Sequence, residues 1–275
     1  MSLRTIRDKA VLITGAGRGI GKRLAIGFAK AGAKVGLFAR SQAEIDLANL
    51  EIEHAGGIAF RLRGDVRDPE RLAAATDKMK VEFGAIDVLI AAAGIQGPIG
   101  PLLETPSKAW QETIETNLFG VVNSCRAVLP QMIERRSGKI IVLSGGGAAK
   151  PRPNFSAYAA SKAALVRFAE TLAEEIREYN VQINCLAPGG AYTQMTDEIL
   201  AAGSRAGDKD RAEAEQVRRT GGFPAEKQIQ LAVFLASEES NHISGKLIHV
   251  DDDWRRLEHA NMNPEHFTLR RVTKG

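Results

Sequence analysis

The chain has few cysteines and no long apolar run. Its two cysteines, Cys125 and Cys185, lie far apart in helix-like and strand-like segments, so we expect two small buried hydrophobes instead of a disulfide. No run reaches the roughly 18 apolar residues that a transmembrane helix needs, and none is expected. The charged start of the chain, from Arg4 to Lys9, does not resemble a secretory signal, so the cytoplasm is the expected compartment.

Histidines and aromatic residues are also scarce. The five histidines include no His-x-x-x-His pair, so the sequence gives metal catalysis no support. The net charge of +4 and the pI of about 9.1 are compatible with nucleic-acid binding. However, basic residues are interspersed with acidic ones, and aromatic residues make up only 5%, too few for an obvious base-stacking surface. A solvated surface and an anionic small-molecule cofactor explain the charge at least as well.

Apolar segments, in contrast, recur along the whole chain. With 275 residues, of which 44% are hydrophobic, the chain can bury one sizeable core, and one domain is expected. Several segments are almost continuously apolar, as in strands covered on both faces, and helical patterns lie between them. This alternation predicts an α/β fold, a single-domain doubly wound parallel sheet (Rossmann-like) of about seven strands with helices on both faces. The predicted strands are 10–14, 34–39, 58–62, 86–92, 139–144, 181–187 and 246–250.

A glycine-rich segment, Thr14-Gly15-Ala16-Gly17-Arg18-Gly19-Ile20-Gly21, directly follows the first predicted strand. Glycines at such a place allow a tight turn into a helix and let the backbone approach a pyrophosphate at the helix N-terminus. A glycine-rich segment can also be only a turn. Its position between a strand and a helix nevertheless favours a dinucleotide site. The residues predicted to bind the cofactor here are Gly15, Gly17, Arg18, Gly19, Ile20 and Gly21.

Tyr158 and Lys162 stand four residues apart in a predicted helix, so the phenol and the ammonium should project from one face. A free phenol has a pKa near ~10 and is a poor acid or base at neutral pH, whereas an adjacent cation favours the phenolate. A Tyr-x-x-x-Lys pair alone also occurs on many solvated helices. Together with the glycine-rich turn, it indicates proton transfer beside a dinucleotide. Ser156, two residues before the tyrosine, is predicted to cap this helix.

With these two motifs the chain resembles the short-chain dehydrogenase/reductase family over nearly its whole length. The family's cofactor motif, Thr-Gly-x-x-x-Gly-x-Gly, is complete at residues 14–21. Further marks of the family follow in the expected order along the chain. They are Gly64-Asp65-Val66, Asn117, Ser144, Tyr158 with Lys162, and Pro188-Gly189 followed by Thr193.

The resemblance implies reversible hydride transfer between a nicotinamide and a carbonyl or secondary alcohol. Tyr158 would protonate the developing alkoxide, and Lys162 would lower the pKa of Tyr158 and hold the nicotinamide ribose. Ser144 would bind the substrate oxygen, and Asn117 would hold a water that continues the proton path. Taken singly, Asn117 and Ser144 could instead satisfy only local backbone. The further cofactor residues that the resemblance implies are Asp65, at the adenine, and Val66, Ala93, Gly94, Pro188, Gly189 and Thr193.

The end of the second predicted strand bears on the choice of cofactor. NAD-specific dinucleotide folds place an acidic residue there to hold the ribose 2′-hydroxyl, whereas a 2′-phosphate needs a cation. Here Ala39 takes the place of the acid and Arg40 follows, with Arg18 able to approach the same phosphate. NADP is therefore the expected cofactor, and NAD is the alternative if Arg40 is only a solvated charge.

Two segments depart from the family pattern. The amides usual after the fourth strand are replaced in Ala91-Ala92-Ala93-Gly94, although Gly94 still permits close approach of a cofactor. The family serine commonly precedes the tyrosine by 13 positions, but Gly145 is there and Ser144 stands 14 before Tyr158. Either the glycine-rich loop absorbs one extra residue, which we favour, or the carbonyl is oriented without this hydroxyl.

Two functions other than an oxidoreductase are alternative interpretations of the same residues. A serine hydrolase with Ser144 as nucleophile is weak, because Val142 occupies the first glycine of the Gly-x-Ser-x-Gly elbow. A non-catalytic dinucleotide-binding sensor or scaffold fits the altered segments, but the intact Tyr158/Lys162 pair opposes it. The substrate is expected to be a small carbonyl or alcohol compound, which the sequence does not identify.

The predicted catalytic domain comprises residues 1–251. Within it, residues 190–222 lie where the family carries its substrate cover, although a solvated helix would have the same pattern. Residues 252–275 form a C-terminal extension whose apolar members are expected to pack on the same or a partner subunit. These members are Trp254, Phe267, Leu269 and Val272. The resemblance also implies a homodimer or homotetramer, with no nucleic-acid or membrane partner.

Overall fold

The computed structural model describes residues 6–258 and 265–270, in which strands and helices alternate. The strands are β1 (Ala10–Thr14), β2 (Lys34–Ala39), β3 (Ile58–Arg63), β4 (Val88–Ala91), β5 (Gly138–Leu143), β6 (Val181–Ala187) and β7 (Leu247–His249). The helices are α1 (Gly19–Lys30), α2 (Gln42–His54), α3 (Pro69–Phe83), α4 (Ser107–Ile114), α5 (Gly120–Arg135), α6 (Ser156–Glu175), α7 (Gln194–Ala202), α8 (Asp208–Thr220) and α9 (Ala225–Ala236). A π-helical turn, Glu115–Phe119, joins α4 to α5.

Within the described residues the seven strands form one parallel sheet in the order β3-β2-β1-β4-β5-β6-β7. The predicted Rossmann-like, doubly wound fold is therefore confirmed. The strand order reverses between β1 and β4, whose last residues, Thr14 and Ala91, lie side by side in register. In open α/β sheets such a reversal opens a crevice at the carboxyl ends of the strands, where ligands bind.

The core lies on both faces of the sheet. Along β1, Val11 and Ile13 face one layer while Leu12 faces the other. The first layer packs α1, α2 and α9 against the sheet, with Phe28 and Phe234 fully buried. The second layer packs α3, α5 and α6. This burial on both faces explains why the strand sequences are almost continuously apolar.

The predicted strands agree with the observed ones to within two residues at either end. Asp68 caps α3, since its Oδ1 accepts hydrogen bonds from the backbone N–H groups of Glu70 and Arg71, both at 3.0 Å. The two cysteines, Cys125 and Cys185, are buried and free, as expected. Among the described helices, none has both the length and the apolar character of a membrane crossing.

Residues 190–222 leave the sheet and return to it. The segment comprises α7 and α8, which pack on each other, and its ends meet where Ala191 pairs with Gly222 in an antiparallel bridge. The helices are thus held at their base next to the carboxyl end of β6. This is the position that a substrate cover requires.

The described part of the C-terminal extension packs on its own subunit. Trp254 stacks on Phe234 with ring centroids 5.1 Å apart. The carbonyl of Phe267 accepts a hydrogen bond of 2.7 Å from the N–H of Leu247, so the extension covers the free edge of β7. Leu269 packs against the second core layer. Val272 lies outside the described residues.

Candidate active site

A cavity of about 1440 Å³ lies at the carboxyl ends of the strands and extends under α7 and α8. Tyr158, Lys162 and Ser144 line it, whereas Asn117 is fully buried beside it. The fold also brings all the sequence-predicted cofactor residues to this cavity. They are Gly15, Gly17, Arg18, Gly19, Ile20, Gly21, Arg40, Asp65, Val66, Ala93, Gly94, Lys162, Pro188, Gly189 and Thr193.

The glycine-rich turn has the geometry of a phosphate cradle. Gly15 has a φ of +69°, and a Cβ added to it would lie 2.8 Å from the Cα of Ala93, so only glycine fits there. A Cβ at Gly21 would overlap the Gly15 carbonyl. Helix α1 begins at Gly19 and has no acidic residue in its first turn, so its N-terminus is suited to a pyrophosphate.

The end of the cavity next to β2 and β3 contains two ion pairs that the sequence did not predict. Arg67 donates to the Asp65 carboxylate at 2.7 Å. Burial opposes ionisation of Asp65, but the hydrogen bonds from Arg67 outweigh it and keep the pKa of Asp65 below its ordinary value. Arg18 pairs with Glu44 at 3.5 Å and also donates to Gln194 on α7. The exposed Arg40 makes no ion pair with a described carboxylate.

The candidate proton-transfer groups lie on α6. Tyr158 and Lys162 project toward the cavity from the same side of this helix, with Lys162 Nζ 5.5 Å from the centre of the Tyr158 ring. The Lys162 ammonium donates to the backbone carbonyl of Leu143 at 2.7 Å, which anchors it at the end of β5. The prediction that Ser156 caps this helix is wrong. Ser156 is the first residue of the helix, and its hydroxyl accepts a hydrogen bond from the Trp110 indole at 3.2 Å.

Burial acts strongly on both groups. It raises the pKa of Tyr158, and the charge that opposes this rise is the guanidinium of Arg152. Burial lowers the pKa of Lys162 to about 8. Lys162 was expected to lower the pKa of Tyr158. In the structure, the cation that opposes the rise in this pKa is instead Arg152.

Asn117 lies in the π-helical turn between α4 and α5, a kind of turn that is frequent at functional sites. Its Oδ1 accepts from the N–H of Ile95 at 2.8 Å, and its Nδ2 donates to the Ile95 carbonyl at 3.0 Å. Thr14 Oγ1 accepts from the N–H of Ala93 at 3.3 Å. These contacts brace the end of β4, where the family's usual amides are missing. The water-holding role of Asn117 stays a prediction.

The loop after β5 brings Gly145 to face Tyr158. A Cβ at Gly145 would lie 2.8 Å from the tyrosine Oη, so position 145 is the one that points at this hydroxyl. The Oγ of Ser144 is buried and has no hydrogen-bond partner among the described residues. The geometry therefore favours the second alternative, in which the carbonyl is oriented without the family serine. The catalytic role of Ser144 stays a prediction.

Arg152 is a charged residue that lines the cavity close to Tyr158. It lies between Pro151 and Pro153 in the loop that leads to α6, and its Nε donates to Asp210 of α8 at 2.7 Å. Its partner is 58 residues further along the chain, so no local pattern predicts the pair. The two flanking prolines, which fix the backbone on either side of one arginine, are the only signal that the sequence carries.

Comparison with known proteins gives matches along nearly the whole chain. A sequence model of the short chain dehydrogenases matches residues 9–203. The chain is 31% identical over 257 residues to 2,3-dihydro-2,3-dihydroxybenzoate dehydrogenase of Bacillus subtilis (strain 168), covering 91% of this chain and 97% of that protein. It is 34% identical over 243 residues to 3-oxoacyl-(acyl-carrier-protein) reductase of Escherichia coli (strain K12), covering 88% and 96%.

Comparison with solved structures also gives a match to a dehydrogenase over most of the chain. The structure of 7α-hydroxysteroid dehydrogenase complexed with NADH and 7-oxo glycochenodeoxycholic acid superimposes with a TM-score of 0.79. It is 29% identical, and the match covers 90% of this chain and 94% of that one.

Proposed function

Because the chain belongs to the short-chain dehydrogenase family, we propose that it uses NADP to interconvert a carbonyl compound and a secondary alcohol. Family membership makes the protein an oxidoreductase, and the proposal adds the cofactor, the proton donor and the residues that hold them. The main support is that Tyr158 and Lys162 line the same cavity as the glycine-rich turn. A hydride donor and a proton donor could therefore meet at one carbonyl carbon and its oxygen.

Tyr158 is suited to give the proton in the reductive direction. Its raised pKa keeps the phenol protonated at neutral pH, so a proton is available as negative charge develops on the carbonyl oxygen. Lys162, anchored on the Leu143 carbonyl, would hold the nicotinamide ribose and pass on the next proton. A pKa of about 8 makes that transfer easy near neutral pH. Asn117 would keep the end of β4 in place beside them.

A nicotinamide dinucleotide, which supplies the hydride when bound, fits the residues at the other end of the cavity. The close approach of Gly15 to Ala93 and of Gly21 to Gly15 brings the backbone of the turn to the N-terminus of α1, where a pyrophosphate would bind. Thr193, Pro188 and Gly189 would bind the nicotinamide half from the side of β6.

NADP is favoured over NAD by Arg40, because this arginine lines the cavity and forms no salt bridge among the described residues, although its charge acts on nearby Asp65. Arg18 lines the same region and could turn from Glu44 to a phosphate. The NAD alternative is supported by Glu44 itself, whose carboxylate could accept from a ribose hydroxyl, and by the NADH bound to the similar hydroxysteroid dehydrogenase.

Titration of NADPH and NADH against the wild type, Arg40→Ala and Glu44→Gln distinguishes these cofactors. Loss of a charge-assisted contact should weaken NADPH binding about 10-fold to 100-fold in Arg40→Ala and leave NADH binding nearly unchanged. Arg61→Ala, on the outer strand β3, is the control for loss of one positive charge. Tighter binding of NADH than of NADPH by the wild type, together with weakened NADH binding in Glu44→Gln, would establish NAD instead.

Turnover with a panel of ketones and alcohols then tests the reaction. We expect oxidation of NADPH by at least one carbonyl compound. Cofactor binding without turnover of any member would favour the non-catalytic sensor. The cytoplasm, a homo-oligomer and the absence of nucleic-acid or membrane partners remain expectations from the sequence.

A further inference from the structure

The guanidinium of Arg152 is held in an unusual place, next to the candidate proton donor. It lies 3.9 Å from the centre of the Phe155 ring and 5.5 Å from the centre of the Tyr158 ring. Its side chain is only 17% exposed, and that of its partner Asp210 only 12%. A charge that is largely withdrawn from water is costly unless it is paired. The pair with Asp210 meets that need, but it uses only a part of the guanidinium.

The other hydrogen-bond donors of Arg152 have no partner among the described residues. An arginine has five N–H donors, and Arg152 uses the one on Nε for Asp210. Its Nη1 and Nη2 donate to no other group in the parts of the chain that the structure describes. Two terminal nitrogens in one plane match the two oxygens of a carboxylate. Asp210 thus fixes the orientation of a fork whose outer edge is open.

The space beside this fork is kept clear by two consecutive glycines. A Cβ at Gly145 would lie 2.8 Å from the Tyr158 hydroxyl, and a Cβ at Gly146 would lie 4.0 Å from Arg152 Nη1. Neither residue contributes a side chain to the cavity that both Tyr158 and Arg152 line, so these two positions leave room there for a ligand. A substrate whose reacting oxygen contacts Tyr158 would therefore extend its neighbouring group toward Arg152.

A second donor without a partner lines the same cavity. The side-chain nitrogen of Gln96 is buried and makes no hydrogen bond within the described residues. Gln96 lies in the loop that follows β4. Further along this loop, the N–H of Gly100 donates to the carbonyl of Asn154 at 2.8 Å, and Asn154 belongs to the same loop as Arg152. A buried donor without an acceptor is unfavourable, and an oxygen-rich ligand would satisfy it.

We propose, on the basis of the function proposed above, that Arg152 determines substrate specificity and that the substrate is an oxo acid or the corresponding hydroxy acid. Its carboxylate accepts hydrogen bonds from Nη1 and Nη2 of Arg152 while its carbonyl oxygen lies at the Tyr158 hydroxyl. Asp210 is a positioning residue, since it holds the guanidinium through Nε. The missing hydroxyl at position 145 is compatible with this arrangement, because the carboxylate contact orients the carbonyl.

The test compares oxo acids with their methyl esters, which keep the carbonyl but lack the charge. Three pairs vary the spacing between the two groups: pyruvate, acetoacetate and levulinate, each with its ester. We expect the wild type to have a higher kcat/KM for the acid than for the ester in at least one pair. In Arg152→Gln the ratio of acid to ester should fall by about 10-fold to 100-fold, and Arg152→Lys should restore it only partly.

Two variants serve as controls. Lys150→Gln removes the same charge from an exposed residue of the same loop that also lines the cavity, so a ratio equal to that of the wild type shows that general positive charge does not account for the preference. Arg152→Gln/Asp210→Asn removes both members of the buried pair, which keeps the test open if a lone Asp210 carboxylate prevents folding. An acid-to-ester ratio near one in every pair, or an equal fall in Lys150→Gln, would overturn the proposal.

Calorimetric binding of the three acids to the complex with the oxidised cofactor makes the test independent of turnover. Binding by the wild type that is lost in Arg152→Gln supports the carboxylate site even if no probe is reduced, in which case only the proposed reaction fails. Reduction of esters without preference for, or binding of, any acid overturns the site and leaves the proposed reaction standing.

Discussion

Tyr158 and Lys162 are both buried, and burial acts on their protonation in complementary ways. It raises the pKa of Tyr158, so the phenol keeps its proton, and it lowers the pKa of Lys162 to about 8, so the ammonium gives up its proton more easily. The positive charge of Arg152 limits the rise in the pKa of Tyr158. Transfer of a proton from the Lys162 ammonium to a Tyr158 phenolate is thereby more favourable than between free lysine and tyrosine, whose pKa values are similar.

Replacing Tyr158 with phenylalanine tests this proton donor. The ring remains, so the packing of α6 and binding of the cofactor should be nearly unchanged, while turnover should fall by about 100-fold or more because the proton has no donor. Steady-state kinetics and cofactor titration of Tyr158→Phe measure the two effects separately. Turnover equal to that of the wild type would assign the proton to another group.

Replacing Ser144 tests whether its hydroxyl reaches the substrate. Position 145, and not 144, faces the Tyr158 hydroxyl, so Ser144→Ala should leave turnover near the wild-type level. Removing a buried hydroxyl without a partner among the described residues should leave stability unchanged or slightly higher. If the family role holds, loss of one donor to the developing oxyanion would lower turnover by about 100-fold. Kinetics and thermal melting, with Ser156→Ala as the matched control, distinguish the two. Ser156 accepts from Trp110, so its loss should mainly affect stability.

At the scale of elements, the strands and the glycine-rich turn follow from local sequence. Burial on both faces makes the inner strands short apolar runs, and the turn needs glycine because Gly15 touches the backbone of the loop after β4. The pair of Arg152 and Asp210 and the contact of Arg18 with Gln194 join residues 58 and 176 positions apart. Such pairs depend on how whole helices pack, which periodicity does not encode.

The start of β5 carries a buried lysine that the proposed chemistry does not use. Lys139 is 8% exposed, and its ammonium donates only to the hydroxyl of Ser240, at 3.2 Å, among the described residues. Burial lowers the pKa of Lys139 to about 7, and the nearby Lys9 adds to this, while Glu238 opposes it. The folded protein therefore binds fewer protons than the unfolded chain wherever the pH lies between the folded and the unfolded pKa of this group.

It follows that the free energy of unfolding should rise with pH between about 7 and 10.5 because of Lys139. Lys139→Met keeps the packing volume and removes the buried charge, so it should stabilise the protein most at the acidic end of this range. Each pKa unit corresponds to about 1.4 kcal/mol. Urea unfolding across this range measures the difference, with Lys30→Met on an exposed helix end as control. A difference between variant and wild type that is independent of pH would contradict the expectation.

At the scale of the whole molecule, one cavity collects groups from both halves of the sheet. The glycine-rich turn, Arg40 and Asp65 come from the β1–β3 half, while Tyr158, Lys162 and the helices over the cavity follow β5 and β6. The reversal of strand order between β1 and β4 is what brings them to one crevice. The C-terminal extension contributes differently, since its described residues stabilise the far edge of the sheet.

Truncation after residue 264 tests what this extension does. The described residues of the extension contact their own subunit. The carbonyl of Phe267 accepts a hydrogen bond from Leu247 at the edge of β7, and the N–H of Leu269 donates to the buried carboxylate of Glu170 at 2.7 Å. We expect the wild type to be a homo-oligomer, as the family resemblance implies, and the truncated chain to keep the same number of subunits. It should unfold at a lower temperature, because the β7 edge is uncovered and Glu170 loses a donor. Light scattering and thermal unfolding of both chains, with a chain that ends at Arg270 as control, measure the two properties. Weaker assembly at unchanged melting temperature would instead place the extension at a contact between subunits.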